Sequence, residues 1–185
     1  MGEIDDALER AEREGFTREP PKTLQGQVNF LLRSLRTARA VAEEIGVTAD
    51  SVNRYRRGAR RTPPPEIAAR IDRAVRSRWQ PRVRRRRREQ AATATGITVE
   101  TRARFGYTAP VGTTDDGRMR RLTVHLPPSY AQRLFDARAR GEGEGRLRDI
   151  IAEGFKDVYF QDGGTRALGL SDVALNDIDY LDLDF

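Results

Sequence analysis

Residues 97–107 read ITVETRARFGY, and this stretch decides how the second half of the chain is organised. Apolar or small residues recur at every second position from Ile97 to Phe105, the spacing of a strand with one buried face. Residues 119–126, MRRLTVHL, repeat the alternation. The two segments lie close in sequence, so they predict an antiparallel hairpin within one chain.

The connection between these segments, TAPVGTTDDGR at residues 108–118, is acidic and bears hydroxyls in an otherwise basic chain. Its proline and glycines prevent the strands from continuing. A long hairpin would therefore hold Thr113 and Thr114 near its tip, within reach of another enzyme. An ordinary turn is the simpler interpretation, and the residues alone do not separate the two threonines.

Two helices are predicted after the hairpin, in residues 127–141 and 145–160. A strand followed by two helices is also the layout of ribbon-helix-helix proteins, in which strands of two protomers pair and enter a DNA groove. Arg121, Thr123 and His125 would then face the DNA. The hairpin within one chain is favoured because its first strand is near.

Residues 37–58, TARAVAEEIGVTADSVNRYRRG, match the pattern of a helix-turn-helix. The first helix stops at Gly46, where a left-handed backbone is inexpensive, and Thr48 can cap the second helix. Two ordinary packed helices are the alternative. The fold class expected is α+β, with this helical DNA-binding domain followed by a β-hairpin-plus-helices domain that allows a ribbon-helix-helix arrangement.

The second helix of this pattern is polar at its start and rich in arginine at its end. Ser51, Asn53 and Arg54 are the residues we expect to reach base edges, because such side chains recognise bases in the major groove. Phosphates, which position without specifying sequence, would be held by four further arginines. These are Arg56, Arg57, Arg60 and Arg61.

Positive charge is concentrated in residues 33–88, which contain 18 arginines and five acids. Their net charge of +13 leaves −7 for the rest of a chain whose total is +6. This asymmetry indicates a polyanionic partner, with nucleic acid as the leading candidate. Five consecutive arginines are predicted to form a solvated arm or helix edge along the DNA backbone. They are Arg84, Arg85, Arg86, Arg87 and Arg88.

The ends of the chain differ from its middle. Residues 1–20 place Ile4, Leu8 and Ala11 on one helical face, which packs on the body or awaits a partner. Residues 171–185 alternate acidic and apolar residues, as in a flexible docking tail or a strand neutralised by arginines. The predicted division is an N-terminal helical arm (1–22), the helix-turn-helix domain (23–80), an arginine-rich linker (81–95), the hairpin and helical domain (96–164) and an acidic tail (165–185).

Several functional classes find no support in the sequence. There are no cysteines and no apolar run long enough to cross a membrane, so we expect a cytoplasmic location. Asp115 and Asp116 are the carboxylate pair closest to the threonines, yet no further acids complete a two-metal site. We therefore predict no metal site, no cofactor and no independent enzyme.

Taken together, several long segments resemble the terminal proteins that protect the telomeres of linear streptomycete chromosomes and plasmids. The resemblance covers almost the full length. It is carried by PPKTLQGQVNFLLR (20–33), RWQPRVR (78–84), ETRARFGYTA (100–109), GTTDD followed by RMR (112–120) and AEGFKDVYFQDGG (152–164).

The resemblance implies a protein primer: a threonine hydroxyl accepts the first nucleotide, DNA synthesis fills the single-stranded 3′ overhang, and the protein stays on the 5′ end as a cap. It assigns that role to Thr114. The implied partners are telomeric DNA with its overhang and hairpins, a telomere-associated protein and a DNA polymerase whose active site supplies Mg²⁺; a homodimer is compatible. The expected location is the nucleoid, at replicon ends. A helix-turn-helix transcriptional or plasmid-partition regulator is the alternative.

Overall fold

The computed structural model describes residues 2–108, 118–167 and 169–185. Within them the helices are α1 (Glu3–Glu14), α2 (Leu24–Leu35), α3 (Ala38–Ile45), α4 (Ala49–Arg57), α5 (Pro65–Arg78), α6 (Pro81–Gln90), α7 (Pro128–Ala139) and α8 (Glu144–Gly154), and the strands are β1 (Ile97–Thr108), β2 (Arg118–Leu126) and β3 (Asp172–Asp184). Short π-helical turns, Ala91–Thr95 and Phe155–Phe160, follow α6 and α8. The predicted α+β class is confirmed.

The chain forms two compact units, one inserted into the other in sequence. Thr17–Pro81 is the helical unit, and Met1–Phe16 together with Arg82–Phe185 is the sheet unit. This division differs from the predicted one, in which residues 1–22, 81–95 and 165–185 were separate segments. Those segments contribute α1, α6 and β3 to the sheet unit because each carries apolar side chains or ion pairs that its core requires.

The helical unit packs α2 to α5 around one apolar core. Its largest fully buried side chains are Leu31, Ile45, Tyr55 and Ile71. Trp79, expected in this core, is half-buried: its ring lies 5.0 Å from Phe30, and its Nε1 donates to the Arg18 carbonyl at 2.8 Å. The rings extend the core towards the surface.

The hairpin within one chain is confirmed. β1 and β2 pair antiparallel in unbroken register from Ile97↔Leu126 to Phe105↔Arg118. The inward residues of β1 are all buried; they are Ile97, Val99, Thr101, Ala103 and Phe105. α7 and α8 pack against this face, so the alternation in the sequence identified the core side of the strand correctly.

Residues 172–184 form the third strand of the sheet, whose order is β2-β1-β3. A flexible acidic tail is therefore corrected in favour of the strand alternative. The inward residues Val173, Leu175, Leu181 and Leu183 are buried. The outward aspartates are neutralised in four ion pairs: Asp177–Arg104, Asp179–Arg102, Asp182–Arg10 and Asp184–Arg87.

Replacement Leu181→Ala is expected to lower the free energy of unfolding of the sheet unit by about 2–5 kcal/mol, because it removes a buried side chain and leaves a cavity. Urea unfolding followed by amide exchange of β1 measures the loss. Asp182→Asn is the control: its ion pair with Arg10 is exposed, and such pairs contribute about 0–1 kcal/mol. Equal losses in both variants would contradict a packed β3.

The arginine run begins inside the sheet unit and is not a solvated arm. α6 packs beside α1, whose Ile4, Leu8 and Ala11 are buried with the fully buried Glu12. Arg84, 6% exposed, donates to Glu12 at 2.6 Å. Burial lowers the pKa of Arg84, and the Glu12 carboxylate offsets that effect. The apolar face of α1 carries Glu12 inside, where a guanidinium must compensate its charge.

Candidate nucleic-acid interface

The turn between α3 and α4 is built by local backbone chemistry. Gly46 ends α3 in the left-handed region (φ 70°), where a side chain would be strained. Thr48 caps α4 by accepting a hydrogen bond from the Ser51 amide at 3.2 Å. Val52 and Tyr55 bury one face of α4, so its opposite face is presented to solvent.

The residues predicted to touch bases lie on or beside that outer face. Arg54 is exposed and pairs with Asp50 at 2.8 Å. Asn53 is half-buried. The hydroxyl of Ser51, also half-buried, lies 3.0 Å from that of Thr48, so Ser51 supports the start of the helix as well.

Three of the predicted phosphate ligands share one surface with the start of α2. This surface, the α2–α4 concavity, is lined by Thr23, Leu24, Gln25, Arg57, Gly58, Arg60 and Arg61. The Gln25 amide donates to the Arg56 carbonyl at 3.3 Å, and the Arg60 guanidinium lies 5.7 Å from the Tyr55 ring. Helix amino-termini attract anions, so guanidinium groups and backbone amides face the same space.

Sequence reasoning missed the contribution of α2 to this surface. Thr23 was recognised as the cap of α2, and its hydroxyl does accept from the Gly26 amide at 3.2 Å. Nothing in the pattern placed that cap beside Arg57 and Arg60. Their proximity follows from the packing of α2 on α4, which the sequence encodes only through its buried residues.

Charge pairing separates the arginines of the helical unit into two groups. The unit contains 14 basic and six acidic residues, a net charge of +8. Arg39, Arg54 and Arg78 pair with neighbouring carboxylates. Within the described residues, Arg56, Arg57, Arg60 and Arg61 form no ion pair, so their charges remain available to a polyanion.

The arginine run divides in a different way, and it lies in the sheet unit. Arg88 donates to Glu12 at 2.5 Å, and Arg87 donates to the Ala11 carbonyl at 3.1 Å. With the buried Arg84, these two residues hold α6 to α1. Arg85 and Arg86 are exposed, and Arg85 lies 3.4 Å from Glu89. Only these last two match the expected solvated position.

The residues that a ribbon-helix-helix arrangement would use lie on the outer face of the hairpin. Arg121 donates to Glu100 at 2.7 Å, and this bond, with a second from Tyr180, holds the pKa of Glu100 below its usual value. His125 Nδ1 lies 3.1 Å from the Thr98 hydroxyl, and Thr123 is exposed. Arg121 and His125 therefore already contact β1 of the same chain.

The two threonines and two aspartates of the connecting segment, Thr113, Thr114, Asp115 and Asp116, lie outside the described residues. The structure does describe the strand ends on either side, and the last pair between β1 and β2 is Phe105↔Arg118. The chain therefore leaves and re-enters the sheet at one end of the hairpin.

The described part of the chain contains no group of three or more His, Cys, Asp or Glu side chains arranged to hold a metal ion. No helix in it is long and apolar enough to cross a bilayer. Comparison of the chain with protein-family models, curated proteins and solved structures finds no match.

Proposed function

We propose that this chain is a telomere terminal protein, which binds telomeric DNA, primes end-filling DNA synthesis through the Thr114 hydroxyl and remains covalently attached to the 5′ end. The sequence resemblance supplies this assignment. The observation that carries it is the hairpin register, because nine consecutive residue pairs lead directly to the segment that contains Thr113 and Thr114. A priming hydroxyl needs such a narrow support to enter a polymerase.

The chemistry asks little of the protein itself. The Thr114 oxygen attacks the α-phosphorus of the first nucleoside triphosphate; a phosphoester bond forms, pyrophosphate leaves, and the hydroxyl proton passes to solvent or to the polymerase. The Mg²⁺ ions of the polymerase lower the cost of this deprotonation. The chain is thus a substrate and carrier, with no catalytic residue and no cofactor of its own.

The helical unit would anchor the protein to the telomere. α4 presents polar residues and arginines to solvent and carries the recognition role in a helix-turn-helix, with Asn53 and Arg54 towards base edges. The α2–α4 concavity would receive phosphates. Folded overhangs provide hairpin duplex for such a reader, and a telomere-associated protein and a DNA polymerase complete the assembly at the replicon end.

Simultaneous replacement of Arg57, Arg60 and Arg61 by Gln is expected to reduce the salt dependence of binding to duplex DNA by about 2.7, about 0.9 for each phosphate contact. The logarithm of the binding constant, measured against that of the salt concentration, gives this slope. Replacing Arg39, Arg76 and Arg78, each paired with a carboxylate, removes the same charge and should change the slope less. Identical slopes for the two variants would contradict the assignment.

Intact-mass analysis tests the priming proposal itself. Chromosome or plasmid ends are isolated with their bound protein, digested with nuclease, and the protein is cleaved. A nucleotide adduct on the peptide spanning residues 105–118 is expected. Unmodified protein that binds a duplex sequence tightly would instead support the regulator alternative.

A further inference from the structure

An aromatic cluster occupies the end of the sheet unit where β1 and β2 meet the connecting segment. The Phe160 ring lies 5.8 Å from Phe105, 5.0 Å from Tyr107 and 4.9 Å from Tyr159, in edge-to-face contacts. Phe105 is buried, Tyr107 is half-buried and Tyr159 is 37% exposed. The cluster therefore runs from the core to a ring in solvent.

Two arginines of β2 converge on this cluster. The register places Arg118 opposite Phe105 and Arg120 opposite Ala103, so both side chains share the face of Tyr107. The Arg120 guanidinium lies 5.9 Å from the Tyr107 ring. Burial raises the pKa of the Tyr107 phenol, whereas the charges of Arg120 and Arg118 lower it. Both charges therefore act at the Tyr107 hydroxyl.

These cations lack the carboxylate partners that other arginines of the sheet possess. Arg102, Arg104 and Arg121 each pair with an acid, whereas in the described residues Arg118 and Arg120 form no ion pair. The Tyr107 hydroxyl and the Nε of Arg120 are also buried there without a hydrogen-bond partner of standard geometry. Buried donors left unsatisfied are costly, which points to a ligand that supplies the acceptors.

We infer that Tyr107, Arg118, Arg120 and Tyr159 form a binding site for single-stranded DNA. The guanidinium groups and the phenol donate to backbone phosphates, and the exposed Tyr159 ring stacks on an unpaired base. The aromatic component favours this ligand over an acidic protein surface, which the charges alone would satisfy. Duplex DNA fits less well because its bases are already stacked.

This inference rests on the proposed function. A strand attached to the connecting segment must leave it at the end of the hairpin, where this cluster lies. The site would then hold the first nucleotides of the strand and keep the covalent end close to the protein. It contacts the strand and takes no part in forming the phosphoester bond.

The test uses the full-length protein and a fluorescein-labelled oligothymidylate of about ten nucleotides, within the usual site size of such proteins. Arg118→Gln combined with Arg120→Gln is expected to raise the dissociation constant about tenfold and to reduce the salt slope by about 1.4, about 0.7 for each phosphate. Tyr159→Ala is expected to weaken binding about tenfold with an unchanged salt slope, because stacking releases no counterions.

The matched control is Arg102→Gln combined with Arg104→Gln. It removes the same charge from β1, but from the opposite face, where both arginines pair with aspartates. Its affinity and salt slope should equal those of the parent protein. Arg118→Lys combined with Arg120→Lys should restore the slope, since lysine also neutralises phosphate. Circular dichroism melting checks that each variant is folded.

Unchanged binding by the Arg118/Arg120 variant, or an equal loss in the control, would overturn the inference. Loss of polymerase binding with an unchanged affinity for oligothymidylate would also overturn it and assign the cluster to an acidic protein partner. Nucleotide transfer to the protein is measured separately. If it is absent while the oligothymidylate results hold, the priming proposal fails and the binding site stands.

Discussion

Replacement Thr114→Ala is expected to reduce incorporation of the first nucleotide to background in an extract containing the polymerase and a telomeric template. The reason is chemical: alanine has no oxygen to attack the α-phosphorus, and no neighbouring group can take over if the polymerase fixes the geometry. Transfer of labelled nucleotide to the protein, measured after denaturing electrophoresis, reports the result.

Two further variants make this prediction specific. Thr113→Ala should retain transfer, because the resemblance assigns the linkage to the second threonine of the pair. Thr114→Ser should retain a labelled product, since serine also offers a hydroxyl. Loss of transfer in Thr113→Ala alone would move the linkage to Thr113. Full transfer in both alanine variants would exclude this segment as the primer.

Replacement Glu12→Gln is expected to lower the free energy of unfolding of the sheet unit by about 3–5 kcal/mol, because it leaves the buried charge of Arg84 without its counter-ion. Arg88 and Arg138 also donate to this carboxylate, so three guanidinium groups lose their shared acceptor. Urea unfolding, followed by amide exchange of β1, gives the magnitude.

Two controls accompany the Glu12 variant. The chain has one tryptophan, Trp79, in the helical unit, so its fluorescence reports whether that unit is unchanged. Glu43→Gln breaks the exposed pair with Arg39 and should cost about 0.3–0.5 kcal/mol. A Glu12 variant as stable as the Glu43 variant would show that the buried network contributes nothing.

Periodicity was informative wherever a helix or strand buries one face. The alternation from Ile97 to Phe105 correctly predicted β1 and its partner, since side chains of a strand point to opposite faces in turn. Gly46 and Thr48 predicted the turn between α3 and α4 because their effects are local. Such signals depend on neighbours in sequence and need no knowledge of distant contacts.

The arginine run shows where local signals were insufficient. As a sequence, residues 84–88 form a uniform block of charge, and solvation is the natural prediction. In the structure their roles diverge, because α1, more than 60 residues earlier, brings Glu12 against Arg84 and Arg88. The predicted acidic tail changed for the same reason: the arginines that neutralise β3 come from α1, β1 and α6.

The sequence by itself determined the α+β class, the hairpin, the local caps and the concentration of positive charge, because each follows from spacing and composition. It also carried the resemblance on which the choice of Thr114 depends. Only the tertiary structure decided which charges are neutralised within the protein and which are left for a partner. An ion pair between distant residues depends on how helices and strands pack, and neither Glu12–Arg84 nor the unpaired Arg118 and Arg120 has a local signature.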